Sequence, residues 1–258
     1  MKRLAVIGLL LSTALFGAAI ARAELSRNDN LLVAFGGRFL PHSLPRDRDA
    51  PIRVNLSGQV KTTDGARPPQ LRRISIAVNR YGRLSTEGLP TCSPDRLEST
   101  NPQLAMARCG DALVGHGHFG AHLEFPELAP FPAEGTMLAF NGRSHGRPAI
   151  FLHIYGSNPV DITVILTFEI SHRQEGKFGT VFTAKIPRIA SDLGYVSDLS
   201  LDFGRRYVYR GQQRSFLSAR CAAPDGFPGA FFTFARGTFY FADGRRITSS
   251  LARDCLVR

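Results

Sequence analysis

The chain of 258 residues contains no tryptophan, four cysteines and three methionines. Indole platforms are the usual device for stacking sugar rings, so their absence counts against a carbohydrate-binding module or a glycosidase, although tyrosine and phenylalanine can substitute. None of the four cysteines lies in a Cys-x-x-Cys pair, which suggests neither a redox motif nor a zinc knuckle. Beyond the N-terminal stretch no apolar run approaches the ~18 residues of a membrane-spanning helix, which excludes a multi-span membrane protein. Lysine is scarce as well: of the 32 Lys and Arg residues, 28 are arginine. Codon preference in a GC-rich genome produces such a ratio. The pairs Arg72-Arg73, Arg205-Arg206 and Arg245-Arg246 are scattered, unlike the continuous basic track that nucleic acid requires. No nucleic-acid partner is therefore expected, and the formal charge of +11 leaves an anionic cell-envelope polymer or lipid headgroup as the open class of charged partner. With 43% hydrophobic and 21% charged residues, the chain is globular rather than a disordered tail.

What is present begins with an export signal. Lys2 and Arg3 precede the apolar stretch Leu4 to Ile20, and Ala21-Arg22-Ala23 has the small-x-small form that a signal peptidase reads. Cleavage after Ala23 predicts a secreted or extracytoplasmic protein starting at Glu24; the alternative is retention of the stretch as an anchor. A chain this long buries roughly 70% of its unfolded surface and supports a core without a metal. The even cysteine count in an exported chain predicts two disulfides, Cys92 with Cys109 and Cys221 with Cys255, each closing a short loop and contributing roughly 3 to 4 kcal/mol.

Period-two alternation dominates the rest. Ile52, Val54, Leu56 and Val60 alternate with Arg53, Asn55, Ser57 and Gln59; Ile74, Ile76 and Val78 alternate with Ser75 and Asn79. The even residues from Ile162 to Ile170 are all apolar, and Phe178 to Ile186 repeats the pattern. Such strands have one wet and one dry face, the antiparallel habit. Further strands are expected around 31–39, 112–125, 136–141, 149–155, 199–203, 207–210, 215–221, 230–241 and 246–252, with Asp243-Gly244 as a tight hairpin turn. Helix is expected only as a short segment between Cys92 and Cys109, where Ser93 and Asn101 precede Pro94 and Pro102. The fold class that follows is all-β, an antiparallel β-sandwich of immunoglobulin-like or jelly-roll kind. The expected division is a signal peptide over 1–23, an N-terminal segment over 24–50 and one sandwich domain over 51–258, with two small sandwiches as the alternative.

Three local patterns resemble chemistry. Gly142-Arg143-Ser144-His145-Gly146 satisfies the Gly-x-Ser-x-Gly nucleophile elbow, but Arg147 to Tyr155 reads as a strand where that motif needs a helix, so a polar hairpin loop is expected. His116, His118, His122 and Glu124 fall on one face of a strand. His116 and His118 lie roughly 6.6 Å apart along it, close enough to share a divalent metal, with Glu124 as a further candidate ligand. Gly110-x5-His116-x-His118 resembles the opening of the cupin metal motif, whose acid, second glycine and second motif do not follow. Tyr207 and Tyr209 share a face among Arg205, Arg206, Arg210 and Arg214, a set that binds anionic or sugar ligands or covers a sheet.

The runs Ala112-Leu-Val-Gly115, Leu138-Ala-Phe-Asn-Gly-Arg143, Phe178-Gly-Thr-Val181, Ala184-Lys-Ile-Pro187, Cys221-Ala-Ala-Pro224 and Phe241-Ala-Asp-Gly-Arg245 resemble uncharacterised secreted proteins of high-GC actinobacteria. The resemblance spans the chain from about Pro51 onward and implies export, with no activity or cofactor attached. Together these patterns predict a non-enzymatic binding or structural module at or outside the cell envelope. The alternative is a metal-dependent enzyme using the His116/His118 face.

Overall fold

A computed structural model describes residues 23–124, 131–158, 161–188 and 194–258. The expected signal peptide and the predicted strand end at Phe125 fall outside these, apart from Ala23. The chain opens with β1 (Glu24–Asn28) and β2 (Leu31–Leu40), then the short β3 (Ser43–Leu44) and β4 (Ala50–Pro51) before β5 (Arg53–Thr62). Next come β6 (Leu71–Asn79), the short β7 (Gly82–Leu84), and a helical stretch containing α1 (Pro102–Cys109). A long up-and-down run follows: β8 (Leu113–Leu123), β9 (Phe131–Ser144), β10 (Arg147–Gly156), β11 (Ile162–Glu175) and β12 (Phe178–Lys185). The chain ends with β13 (Gly194–Phe203), the short β14 (Arg206–Tyr209), β15 (Gln212–Ser215) and β16 (Leu217–Ala219), and the long hairpin β17 (Gly229–Phe241) and β18 (Arg246–Val257).

Among the described residues thirteen strands form one sheet, in the order β1-β2-β5-β13-β8-β9-β10-β11-β12-β6-β17-β18-β3. Every neighbouring pair is antiparallel except β18 with β3. The antiparallel, mostly-β expectation therefore holds, while the two stacked sheets of a sandwich are replaced by one large curled sheet. Residues 24–50, expected as a segment ahead of the domain, supply β1 and β2 to that sheet. Curling follows from strand twist, which bulges increase. Register shifts interrupt the ladders between Leu113 and Gly115, between Val196 and Asp198, and between Thr233 and Ala235.

The sheet curls until β18 lies against β1 and β2. This seam is held by side chains rather than a ladder. Arg253 Nε donates to the Gly37 carbonyl at 2.6 Å, Arg245 Nη1 donates to Asn30 Oδ1 at 2.7 Å, and the Phe35 and Phe239 rings meet edge-on at 5.7 Å. Gly37 makes the approach possible: a Cβ there would sit 2.9 Å from Leu56 and 3.1 Å from Leu251.

The wet and dry faces read from alternation become the outside and inside of a barrel-like wall. On β5, Val54, Leu56 and Val60 turn inward, whereas Arg53, Gln59 and Lys61 turn out. Apolar inside and polar outside is the reverse of a membrane-spanning barrel. No helix among the described residues is long and apolar enough to cross a membrane.

Two additions complete the wall. Where β2, β6 and β13 end, the three-stranded sheet β4-β16-β7 lies across the lumen as a floor. Phe216 and Leu89, buried at 1% and 6% exposure, pack with Leu84 and Leu217 of this sheet. The Cys221–Cys255 disulfide ties the floor segment to β18. Outside β9 and β10, residues 90–112 form a cap, with Cys92–Cys109 spanning α1. Asn101 caps α1 as expected, accepting from the Leu104 amide at 2.9 Å, whereas Ser93 makes no side-chain cap ahead of its 3-10 turn. The cap explains why Ala149 to Leu152 is an unbroken apolar run: Ile150 and Leu152 face the lumen, and Ala149 and Phe151 pack under the cap.

Candidate functional site

The lumen is the most enclosed apolar space among the described residues. Its cavity measures about 360 Å³, within the range of small-molecule sites. Residues of ten long wall strands, joined by the short β3, β7 and β16, line it, and most of the lining is aliphatic or aromatic. A wall of about a dozen strands explains the space: roughly eight strands give an interior that side chains alone fill, and a larger ring leaves room.

The two ends differ. Toward the floor the lining is rich in large rings, with Phe39, Phe203, Phe216, Phe232 and Phe234. Polar groups there are satisfied within the wall. Asn79, 6% exposed, donates from Nδ2 to the Thr233 carbonyl at 2.7 Å and accepts the Tyr81 amide at Oδ1. Toward the opposite end the wall thins. Ala121 stands directly opposite Ala133 in the β8–β9 ladder, and Gly156 sits nearby on β10. The rim residues Ile162 and Val196 line the cavity and yet are 39% and 40% exposed, which marks this end as the mouth among the described residues.

A strap crosses the mouth. β5 and β6 lie far apart in the sheet order, so residues 63–70 must pass over the lumen between them. Pro68, Pro69 and Gln70 line the cavity from above. Arg67 pairs with Glu124 at 2.6 Å, the Gln70 side chain donates to the Gly194 carbonyl, and the Gln70 carbonyl accepts the Ala242 amide at 2.8 Å. Gln70 and Asn158 supply uncharged polar groups at this end.

The residues singled out from sequence lie elsewhere. His116 and His118 are exposed on the outer face of β8, as alternation predicts. They flank Asp202 and Ser200 of β13 in register. Glu124 does not join them: it lies about 20 Å further along the strand, because each residue advances roughly 3.3 Å, and it pairs with Arg67. His122 stacks on Tyr195, with ring centroids 5.1 Å apart. Among the described residues no three His, Cys, Asp or Glu side chains form a metal-ligating group.

The arginine–tyrosine set is built into the floor. Arg205 Nη1 donates to the Gly110 and Leu113 carbonyls at 3.1 and 2.9 Å. The Tyr207 hydroxyl donates to the Glu87 carbonyl at 2.7 Å. Tyr209 lies so close over Gly88 that a Cβ there would be 2.3 Å from its ring, whereas Arg206, Arg210 and Arg214 are exposed. Ser144 ends β9 in a two-residue hairpin, with His145 at φ 49° and Gly146 at φ 74°, so no helix follows to make a nucleophile elbow.

One further histidine is buried. His153 is fully buried between β10 and the cap, its Nε2 2.9 Å from the Thr100 carbonyl and 3.0 Å from the Thr100 hydroxyl. Its Nδ1 has no hydrogen-bond partner. Burial pushes its pKa below the ordinary histidine value, so the ring is neutral and structural. No protein-family model, curated protein or solved structure matches the chain.

Proposed function

We propose that this is an exported, non-enzymatic binding module whose lumen shelters an apolar ligand from water. The observation that carries the reading is the sidedness of the curled sheet around its cavity of about 360 Å³. On the scale of core-cavity mutants, roughly 24 cal/mol per Å³, such a void left empty costs about 9 kcal/mol. That is comparable to the whole stability of a typical domain. Water gains little by filling it, because the lumen centre offers few hydrogen-bond partners. A ligand that brings its own apolar surface removes the penalty. The two disulfides are consistent with an extracytoplasmic location.

The test is titration of the folded protein with N-phenyl-1-naphthylamine, a neutral dye that fluoresces only in apolar surroundings. A saturable increase that Ala121→Trp and Ala133→Trp each weaken supports the reading. A protein that leaves the dye dark contradicts it.

A further inference from the structure

We infer that the ligand is an amphiphile with one long, linear hydrocarbon chain, inserted lengthwise from the mouth; this rests on the binding function proposed above. The argument is one of shape. Lining positions run from Val54 to Val60 on β5, from Ile150 to Gly156 on β10 and from Ile162 to Phe168 on β11. Six residue steps correspond to about 20 Å of strand and, at the usual barrel tilt, to about 15 Å along the axis. That is half the ~30 Å hydrocarbon thickness of a bilayer, the depth that one acyl chain of a membrane lipid fills.

Spread over that length, a cavity of about 360 Å³ has a mean cross-section of about 24 Å². A single extended chain has that girth, whereas a fused-ring skeleton is wider. The polarity of the lining agrees. Asn158 and Gln70 stand at the mouth beside the exposed rims of Ile162 and Val196, and the floor end is closed by Phe216 and its neighbours. A head group therefore stays at the mouth among uncharged hydrogen-bonding partners, and the chain's methyl end points at the floor.

Displacement of bound N-phenyl-1-naphthylamine by a series of straight-chain alcohols and acids of increasing length tests this on the unaltered protein. Each added methylene is expected to tighten competition about fourfold while the chain still has lumen to fill, with a plateau once the chain reaches membrane-lipid length. Alcohol and acid of equal length should compete alike, and a sterol of similar carbon number should compete far more weakly. A sterol that competes as well as the longest chain, or competition independent of length, overturns the inference and leaves the binding reading standing. Failure of the dye itself to bind removes the binding reading, a separate outcome read before any competitor is added.

Discussion

The floor and the mouth of the lumen are made from the same alternating strands, yet they solve opposite problems. At the floor, large rings interlock and a disulfide fastens the β4-β16-β7 sheet to the wall. At the mouth, Ala121 faces Ala133, the strap is held by an ion pair and side-chain hydrogen bonds, and apolar rims stay exposed. Stability is concentrated where the lumen is shut. Space and access are concentrated where it opens, so substitutions at the two ends should have different signatures.

The largest stability effect is expected at the floor. Phe216→Ala removes a ring that is 1% exposed and should cost roughly 3 to 5 kcal/mol in chemical denaturation. A loss below about 1 kcal/mol would mean that the floor is not part of the core. Opening the Cys221–Cys255 link by replacing both cysteines with serine should cost roughly 2 to 4 kcal/mol, by freeing a loop of sequence separation 34. The melting temperature of the double variant checks this; an unchanged value would detach the disulfide from the floor's stability.

His153 provides a pH signature that belongs to the cap rather than to either end. Its folded pKa lies below the unfolded value because burial disfavours the imidazolium. Its neutral form therefore stabilises the fold fully above the ordinary histidine range near 6.5, and that contribution is lost as pH falls from there toward the depressed folded value. Denaturant midpoints measured across this interval should fall with acidification, and His153→Leu should flatten the slope. A slope unchanged by the substitution would place the proton uptake elsewhere.

Smaller still are the effects at the mouth. Ala121→Trp fills part of the lumen and should hold or raise the denaturation midpoint while dye binding drops, the reverse of what Phe216→Ala does to stability. Arg67→Gln breaks a partly exposed ion pair with Glu124 and should cost less than about 1 kcal/mol. If it instead destabilised the protein as much as the floor substitutions, the contrast between the two ends would fail.

Alternation made the strands legible, because a residue's face on a strand is fixed by its parity. Inward Ile162, Val164 and Leu166 and outward His116 and His118 fall where the pattern puts them. Export chemistry and loop length likewise led to both disulfide pairings. Closure did not follow from the same pattern, since an apolar strand face is identical whether it packs on a second sheet or looks across a lumen. The seam depends on Arg253 reaching the Gly37 carbonyl, across a separation of 216 residues that no local pattern encodes. β16 falls within the strand expected at 215–221, but its partners in the floor were hidden because β4 and β7 have two and three residues, too few for any periodicity. The candidate site left only a faint mark: small residues at Ala121, Ala133 and Gly156, on faces otherwise filled by large apolar groups. The histidines and tyrosines drew attention through their chemistry, whereas the lumen is defined by the absence of side-chain volume.

The absence of tryptophan permits one direct measurement of the central claim that the curled sheet encloses a ligand chain. Phe182→Trp places a single indole on the lumen wall, and His118→Trp places one on the exposed outer face of β8. Titration of each variant with a straight-chain fatty acid brominated at mid-chain should quench the Phe182→Trp emission saturably and leave that of His118→Trp unchanged. Equal quenching of both, or none of the lumen indole, would contradict a chain bound inside the barrel.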